Sequence, residues 1–196
     1  MLEQKFRNYY QQILVDPCAK LCGNRISPCQ ITYLAGITGV LVIPVLYWHA
    51  SILACILILI SGFLDTLDGT LARVNNSMSD YGSALDITMD RVVEWAIILG
   101  MLLYSPDRGI YVVLMLGSSF FCVTTFLVVG IFTPNNSHKS FHYSSGFMER
   151  AEAFVFFLIM ILLPQTFAIM AILYTILVTL TGVIRMQQFK KFSEQE

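Results

Sequence analysis

Apolar stretches close to membrane-crossing length recur along this chain, at about 30–48, 51–72, 82–104, 109–133, 148–163 and 165–186. A hydrocarbon core of about 30 Å needs roughly 20 apolar residues per helical span. Of the 196 residues, 56% are hydrophobic and only 13% are charged. A soluble domain of this length cannot bury that much apolar surface. The expected fold is an all-α integral membrane protein, with six transmembrane helices preceded by an N-terminal interfacial amphipathic helix. The connections are short and no repeat or linker interrupts them, so 1–196 reads as one domain. Its parts are an interfacial helix and turn (1–27), six spans (28–188) and a polar tail (189–196). The first 27 residues lack the apolar core of a cleavable signal peptide, and none is expected.

The 12 Lys and Arg residues are unevenly placed. Lys5, Arg7, Lys20 and Arg25 precede the first span, and Arg73 ends the second. Lys139 and Arg150 flank the connection between the fourth and fifth, while Arg185, Lys190 and Lys191 follow the sixth. Only Arg108 falls on the other side, and Arg91 sits within a span. The positive-inside rule then puts both termini and the 73–81 connection in the cytoplasm of a multi-pass protein, with a bacterial inner membrane as the expected setting. No nucleic-acid partner is expected. The five cysteines make a disulfide framework improbable. Cys18, Cys22 and Cys29 do not combine with His138 and His142 in a zinc spacing, and read as small packing residues.

Near the N-terminus, Leu2, Phe6, Tyr9, Tyr10, Ile13 and Leu14 recur at helical spacing, which suits a helix lying in the membrane interface. Asp16-Pro17 is expected to break it. Further on, Ser27 can cap the first span and Pro28 can take its first position.

Four aspartates between the second and third spans need an explanation. Asp65 and Asp68 share one helix face at i, i+3, and Asp86 and Asp90 share another at i, i+4. A carboxylate at the centre of a membrane helix costs about 2.5–3.5 kcal/mol. If the two helices are antiparallel neighbours, all four face one seam. Hard oxygen donors in that number suit two divalent ions, magnesium, manganese or calcium rather than zinc. A metal pair is the clamp used for in-line displacement at phosphorus. Gly69 and Gly82 leave room for a bulky ligand, and Arg73 can pair with a pyrophosphate.

Together these residues spell D-x2-D-G-x2-A-R-x8-G-x3-D-x3-D through Asp65, Asp68, Gly69, Ala72, Arg73, Gly82, Asp86 and Asp90. The pattern resembles the signature of the CDP-alcohol phosphotransferase family, also called class I CDP-alcohol phosphatidyltransferases. The six spans and the interfacial helix look like that family too, so the resemblance covers nearly the whole chain. It implies a divalent-metal-dependent phosphotransferase of phospholipid biosynthesis. Asp65 and Asp86 would bridge two ions, Asp68 and Asp90 would complete one site each, and Asp90 would be the general base. Gly69, Ala72, Arg73, Gly82 and Ser79 would line the CDP-lipid site. Pro28-Cys29-Gln30-Ile31-Thr32 resembles the family's P-N-x-x-T turn, with cysteine in place of asparagine; Pro28 and Thr32 would sit near the nucleotide. A homodimer is implied by the resemblance alone.

For the acceptor, Gly146, Arg150 and Glu152 resemble the G-x-x-x-R-x-E-R stretch of the inositol-phosphate-using branch, with Ala153 at the second arginine. Lys139, Arg150 and Glu152 are the acceptor-site candidates. The expected reaction moves a phosphatidyl group from CDP-diacylglycerol to a polar alcohol, with an inositol phosphate or similar polyol phosphate as the leading candidate, and releases CMP. Transfer of a CDP-linked head group to diacylglycerol and a cation transporter are the alternatives. Arg91 and Glu94, at i, i+3, are expected to neutralise one another away from the seam.

Overall fold

The computed structural model describes residues 10–23, 26–133, 148 and 150–194. Every element among them is helical. A π-helical turn (Gln11–Val15) leads into α1 (Asp16–Cys22), followed by α2 (Pro28–Val40), α3 (Val42–Tyr47), α4 (Ser51–Val74) and α5 (Asp80–Tyr104). A 3-10 turn (Pro106–Arg108) opens α6 (Gly109–Phe132), then come α7 (Arg150–Leu162), a second 3-10 turn (Pro164–Thr166) and α8 (Phe167–Ser193). Among the described residues, four stretches are long and apolar enough to cross a membrane: Pro28–Tyr47, Ser51–Val74, Pro106–Phe132 and Pro164–Ser193. With this composition, the chain is a membrane protein.

The chain divides into two compact units, Met1–Val42 with Ile56–Ala96, and Ile43–Cys55 with Ile97–Glu196. In the first, α2 is the central packing element. Its start is set by a capping box: Ser27 Oγ accepts from the Gln30 amide, and Gln30 Oε1 accepts from the Ser27 amide. Pro28 takes the first turn, where its missing N–H costs nothing. Pro44 cannot donate back to Val40, and the helix is interrupted at Leu41 between α2 and α3.

Small residues let α2 approach its neighbours closely. A Cβ at Gly36 would lie 2.8 Å from Met89 Sδ, and one at Gly39 would lie 2.5 Å from a Val93 methyl, so both glycines seat α5. On α4, the buried Ser61 hydroxyl donates to the Ala35 carbonyl at 2.9 Å. Val15, Ala19, Ile31, Leu67 and Leu71 form a core cluster, with Cys18 and Cys22 packed against it. These two cysteines thus act as packing residues.

Asp16-Pro17 does not break the N-terminal segment, contrary to expectation. Pro17 falls in the first turn of α1, where an N–H needs no helical partner. The preceding turn widens, and the Asp16 amide donates to the Gln11 carbonyl. Val15 and Ala19 pack inward while Ile13, Leu14 and Leu21 remain exposed. Leu2, Lys5, Phe6, Arg7 and Tyr9 lie outside the described residues.

In the second unit, α6 packs on α8. A Cβ at Gly182 would lie 2.7 Å from the Phe121 ring, and the Ser119 and Tyr174 hydroxyls are 2.9 Å apart. Arg185 is buried and donates to the Cys122 carbonyl at 3.1 Å. The polar tail is not a loose end over its described part, since α8 runs on to Ser193. Gln, Lys and Met are good helix formers, and Lys190 and Lys191 suit the negative end of the helix dipole.

Candidate active site

The first unit holds all four aspartates. Asp65 and Asp68 lie on α4, and Asp86 and Asp90 on α5. The two helices are joined by a tight turn. Asn76 adopts φ +48°, and the Ser77 amide closes back onto the Ala72 carbonyl at 2.9 Å. Asparagine tolerates this left-handed conformation better than most residues. Ser79 then opens α5: its Oγ accepts from the Gly82 amide at 3.0 Å. The hydroxyl expected to reach a nucleotide is therefore also the cap of α5. A Cβ at Gly82 would lie only 3.1 Å from that oxygen.

Asp65, Asp68 and Asp86 converge, with one oxygen from each within 4.8 Å of the others. Asp68 is buried, and the other two are half-buried. Asp90 follows Asp86 one helical turn along α5. One oxygen of Asp86 and one of Asp90 are buried without accepting a hydrogen bond, although both residues keep other polar interactions. Carboxylates this close repel by roughly 3–4 kcal/mol per pair at an effective dielectric of about 20. A hard divalent cation converts that repulsion into ligation, so the donor set fits such an ion.

Around the cluster, polar side chains are linked in order. Thr32 donates to Asp68 Oδ2 at 2.5 Å, and both residues are buried. Arg73 lies along α4 with Nη2 donating to Thr70 Oγ1 at 3.0 Å, and a Cβ at Gly69 would meet its Nη1 at 3.6 Å. Gln11 Nε2 donates to the same Thr70 oxygen at 2.7 Å and to Asp16 Oδ1 at 2.9 Å. The N-terminal segment thus reaches the face of α4 that carries Arg73. Tyr10 lies there as well. Burial raises its phenol pKa, a hydrogen bond with Thr66 opposes that, and the Asp65 charge adds to the rise.

Sequence reasoning missed three of these features. The Thr32–Asp68 bond joins residues 36 apart, and the Gln11–Thr70 bond joins residues 59 apart. Neither leaves a local trace. The Gly36–Gly39 seat had a signal, two small residues at i, i+3 within a span, which often mark close helix approach.

The remaining predicted residues are placed separately. Ala72 is half-buried on α4, and Pro28 is the first residue of α2. Arg150 opens α7 in the second unit, its guanidinium 5.2 Å from the Phe154 ring centre, with Glu152 in the same first turn. Ala153 is buried. Lys139, along with His138, His142 and Gly146, lies outside the described residues. Arg91 and Glu94 form the expected ion pair on α5.

Fold and site together define a helical membrane protein with a carboxylate cluster suited to hard cations. Residues 25–184 match the family model for CDP-alcohol phosphatidyltransferase. The chain is 31% identical to the inner membrane protein YnjF of Escherichia coli over 73% of each chain. It is 30% identical to the phosphatidylinositol phosphate synthase of Corynebacterium glutamicum over 74% of this chain and 67% of that one. Its fold matches Mycobacterium tuberculosis phosphatidylinositol phosphate synthase, solved with CDP-DAG bound, at a TM-score of 0.76 and 19% identity, over 90% of this chain and 93% of that one. The same synthase has also been solved with manganese and citrate. The chain belongs to the CDP-alcohol phosphatidyltransferase family. It is a phosphotransferase of phospholipid biosynthesis.

Proposed function

We propose that this transferase joins the phosphatidyl group of CDP-diacylglycerol to a hydroxyl of an inositol phosphate or similar polyol phosphate. The observation that carries the reading is the convergence of Asp65, Asp68 and Asp86, within the stretch that matches the family. Relatives named phosphatidylinositol phosphate synthase and archaetidylinositol phosphate synthase support the acceptor class. Transfer of a CDP-linked head group to diacylglycerol has no comparable support.

In this reading, Asp65, Asp68, Asp86 and Asp90 hold two divalent cations, magnesium or manganese. Bound there, the cations supply positive charge that offsets the pyrophosphate of the CDP group. Gly69 and Gly82 leave open the surface over which the nucleotide lies, with Ala72, Ser79, Pro28 and Thr32 nearby. Arg73 donates to the pyrophosphate. The acceptor oxygen bonds to the phosphatidyl phosphorus, the bond from phosphorus to the CMP oxygen breaks, and the acceptor proton passes to Asp90. Arg150, Glu152 and Lys139 bind the acceptor.

The topology belongs to the same proposal. α5 has 25 residues and spans about 37 Å at 1.5 Å per residue, enough to cross a membrane despite its charges. Together with α7, whose described part is 13 residues, it makes six proposed spans in one domain, with both termini and the aspartates on the cytoplasmic side. Exposed Ile13, Leu14 and Leu21 suit an N-terminal segment lying in the interface. The family resemblance supports a homodimer.

The test is product identity. Purified protein is given CDP-diacylglycerol and a competing pool of inositol phosphate, inositol, glycerol phosphate and serine, and the lipids are weighed by mass spectrometry. A product carrying inositol phosphate is expected. A product from another acceptor would reassign the acceptor pocket.

A further inference from the structure

We infer that Thr32 is a positioning residue for the metal ligand Asp68, an inference that rests on the metal-site reading above. Its hydroxyl has one proton and two neighbouring acceptors, the Pro28 carbonyl at 3.1 Å and Asp68 Oδ2 at 2.5 Å. The shorter contact, to a carboxylate, is the charge-assisted one and takes the proton. Both residues are only 4% exposed, so water does not compete for the bond. A carboxylate offers about four lone-pair directions. Thr32 occupies one of them and holds the plane of the group within the cluster.

The placement of Thr32 is itself built into α2. The Ser27–Gln30 capping box and Pro28 set the first turn, and the Thr32 side chain lies against that turn through Pro28. α2 is fixed further along by Gly36 and Gly39 against α5. A single helix therefore ties a ligand on α4 to the position of α5, which carries Asp86. A hydrogen bond to a ligating carboxylate orients it, and losing such a partner typically lowers metal affinity about 10–100-fold.

The test measures manganese binding by the purified protein without substrate, from the free-ion electron paramagnetic resonance signal. Thr32→Val keeps the shape but removes the donor, and should weaken manganese binding about 10–100-fold. Thr32→Ser restores the donor and should bind within a few-fold of the parent. In an Asp68→Asn background, Thr32→Val should have little further effect, because the two residues act as one unit. If Thr32→Val does not fold, Thr32→Ala and Thr32→Ser make the same comparison. The inference is overturned if the valine and serine variants both bind manganese like the parent, or if Thr32→Val weakens only the KM for CDP-diacylglycerol. A parent that binds no manganese would overturn the metal-site reading itself, along with this inference.

Discussion

A β-carbon at Gly39 would sit 2.5 Å from a methyl of Val93, a separation that real side chains do not tolerate. The contact sets how closely α2 and α5 approach, and α5 carries Asp86 and Asp90. Gly39→Ala should cost about 1–3 kcal/mol, the usual range for overpacking, and Gly39→Val more. Thermal unfolding in detergent checks this. Combining Gly39→Ala with Val93→Ala should recover much of the loss, whereas an additive loss would place the strain elsewhere.

Thr70 accepts from Gln11 and Arg73 at once. Thr70→Val removes the shared acceptor and should destabilise the protein by about 1–3 kcal/mol, since two donors lose their partner. Because Arg73 is then no longer held along α4, the KM for CDP-diacylglycerol should rise while kcat changes little. Gln11→Ala should cost only about 1 kcal/mol. An equal KM effect in Gln11→Ala would mean that the N-terminal segment, rather than Thr70, orients Arg73.

The parts of the site that could be read from the sequence are those with local spacing. Carboxylates at i, i+3 and i, i+4 in otherwise apolar helices have few structural uses, so the convergence of Asp65, Asp68 and Asp86 was legible, as was the Arg91–Glu94 pair. The Ser27 cap was legible because its partner lies three residues away. Thr32 shows the limit. Its position in a turn motif was visible, but its bond to Asp68 depends on how α2 packs against α4. Pro17 was misread because a proline can begin a helix as easily as end one, and the choice depends on the burial of Val15 and Ala19.

Asp90→Asn should separate binding from chemistry. The amide keeps an oxygen for ligation but cannot take the acceptor proton. Turnover should fall by roughly 10²–10⁴, the range for a general base, with CDP-diacylglycerol binding reduced much less. Loss of donor binding in step with turnover would make Asp90 a ligand only.

Arg150 opens α7 among apolar residues. If it binds the phosphate of the acceptor, Arg150→Ala should raise the acceptor KM by roughly 10–100-fold, the equivalent of a charge-assisted hydrogen bond, and leave donor binding unchanged. A change in donor KM alone would move Arg150 to the lipid site.

Acceptor-dependent CMP release by the purified protein is the decisive measurement, made with and without divalent metal and in Asp86→Asn. Release should stop in chelator and return with magnesium or manganese. It should fall by roughly 10²-fold or more in Asp86→Asn, the scale of several kcal/mol of charge stabilisation. Undiminished CMP release in chelator, or full activity in Asp86→Asn, would contradict a metal-dependent phosphatidyl transfer at the carboxylate cluster.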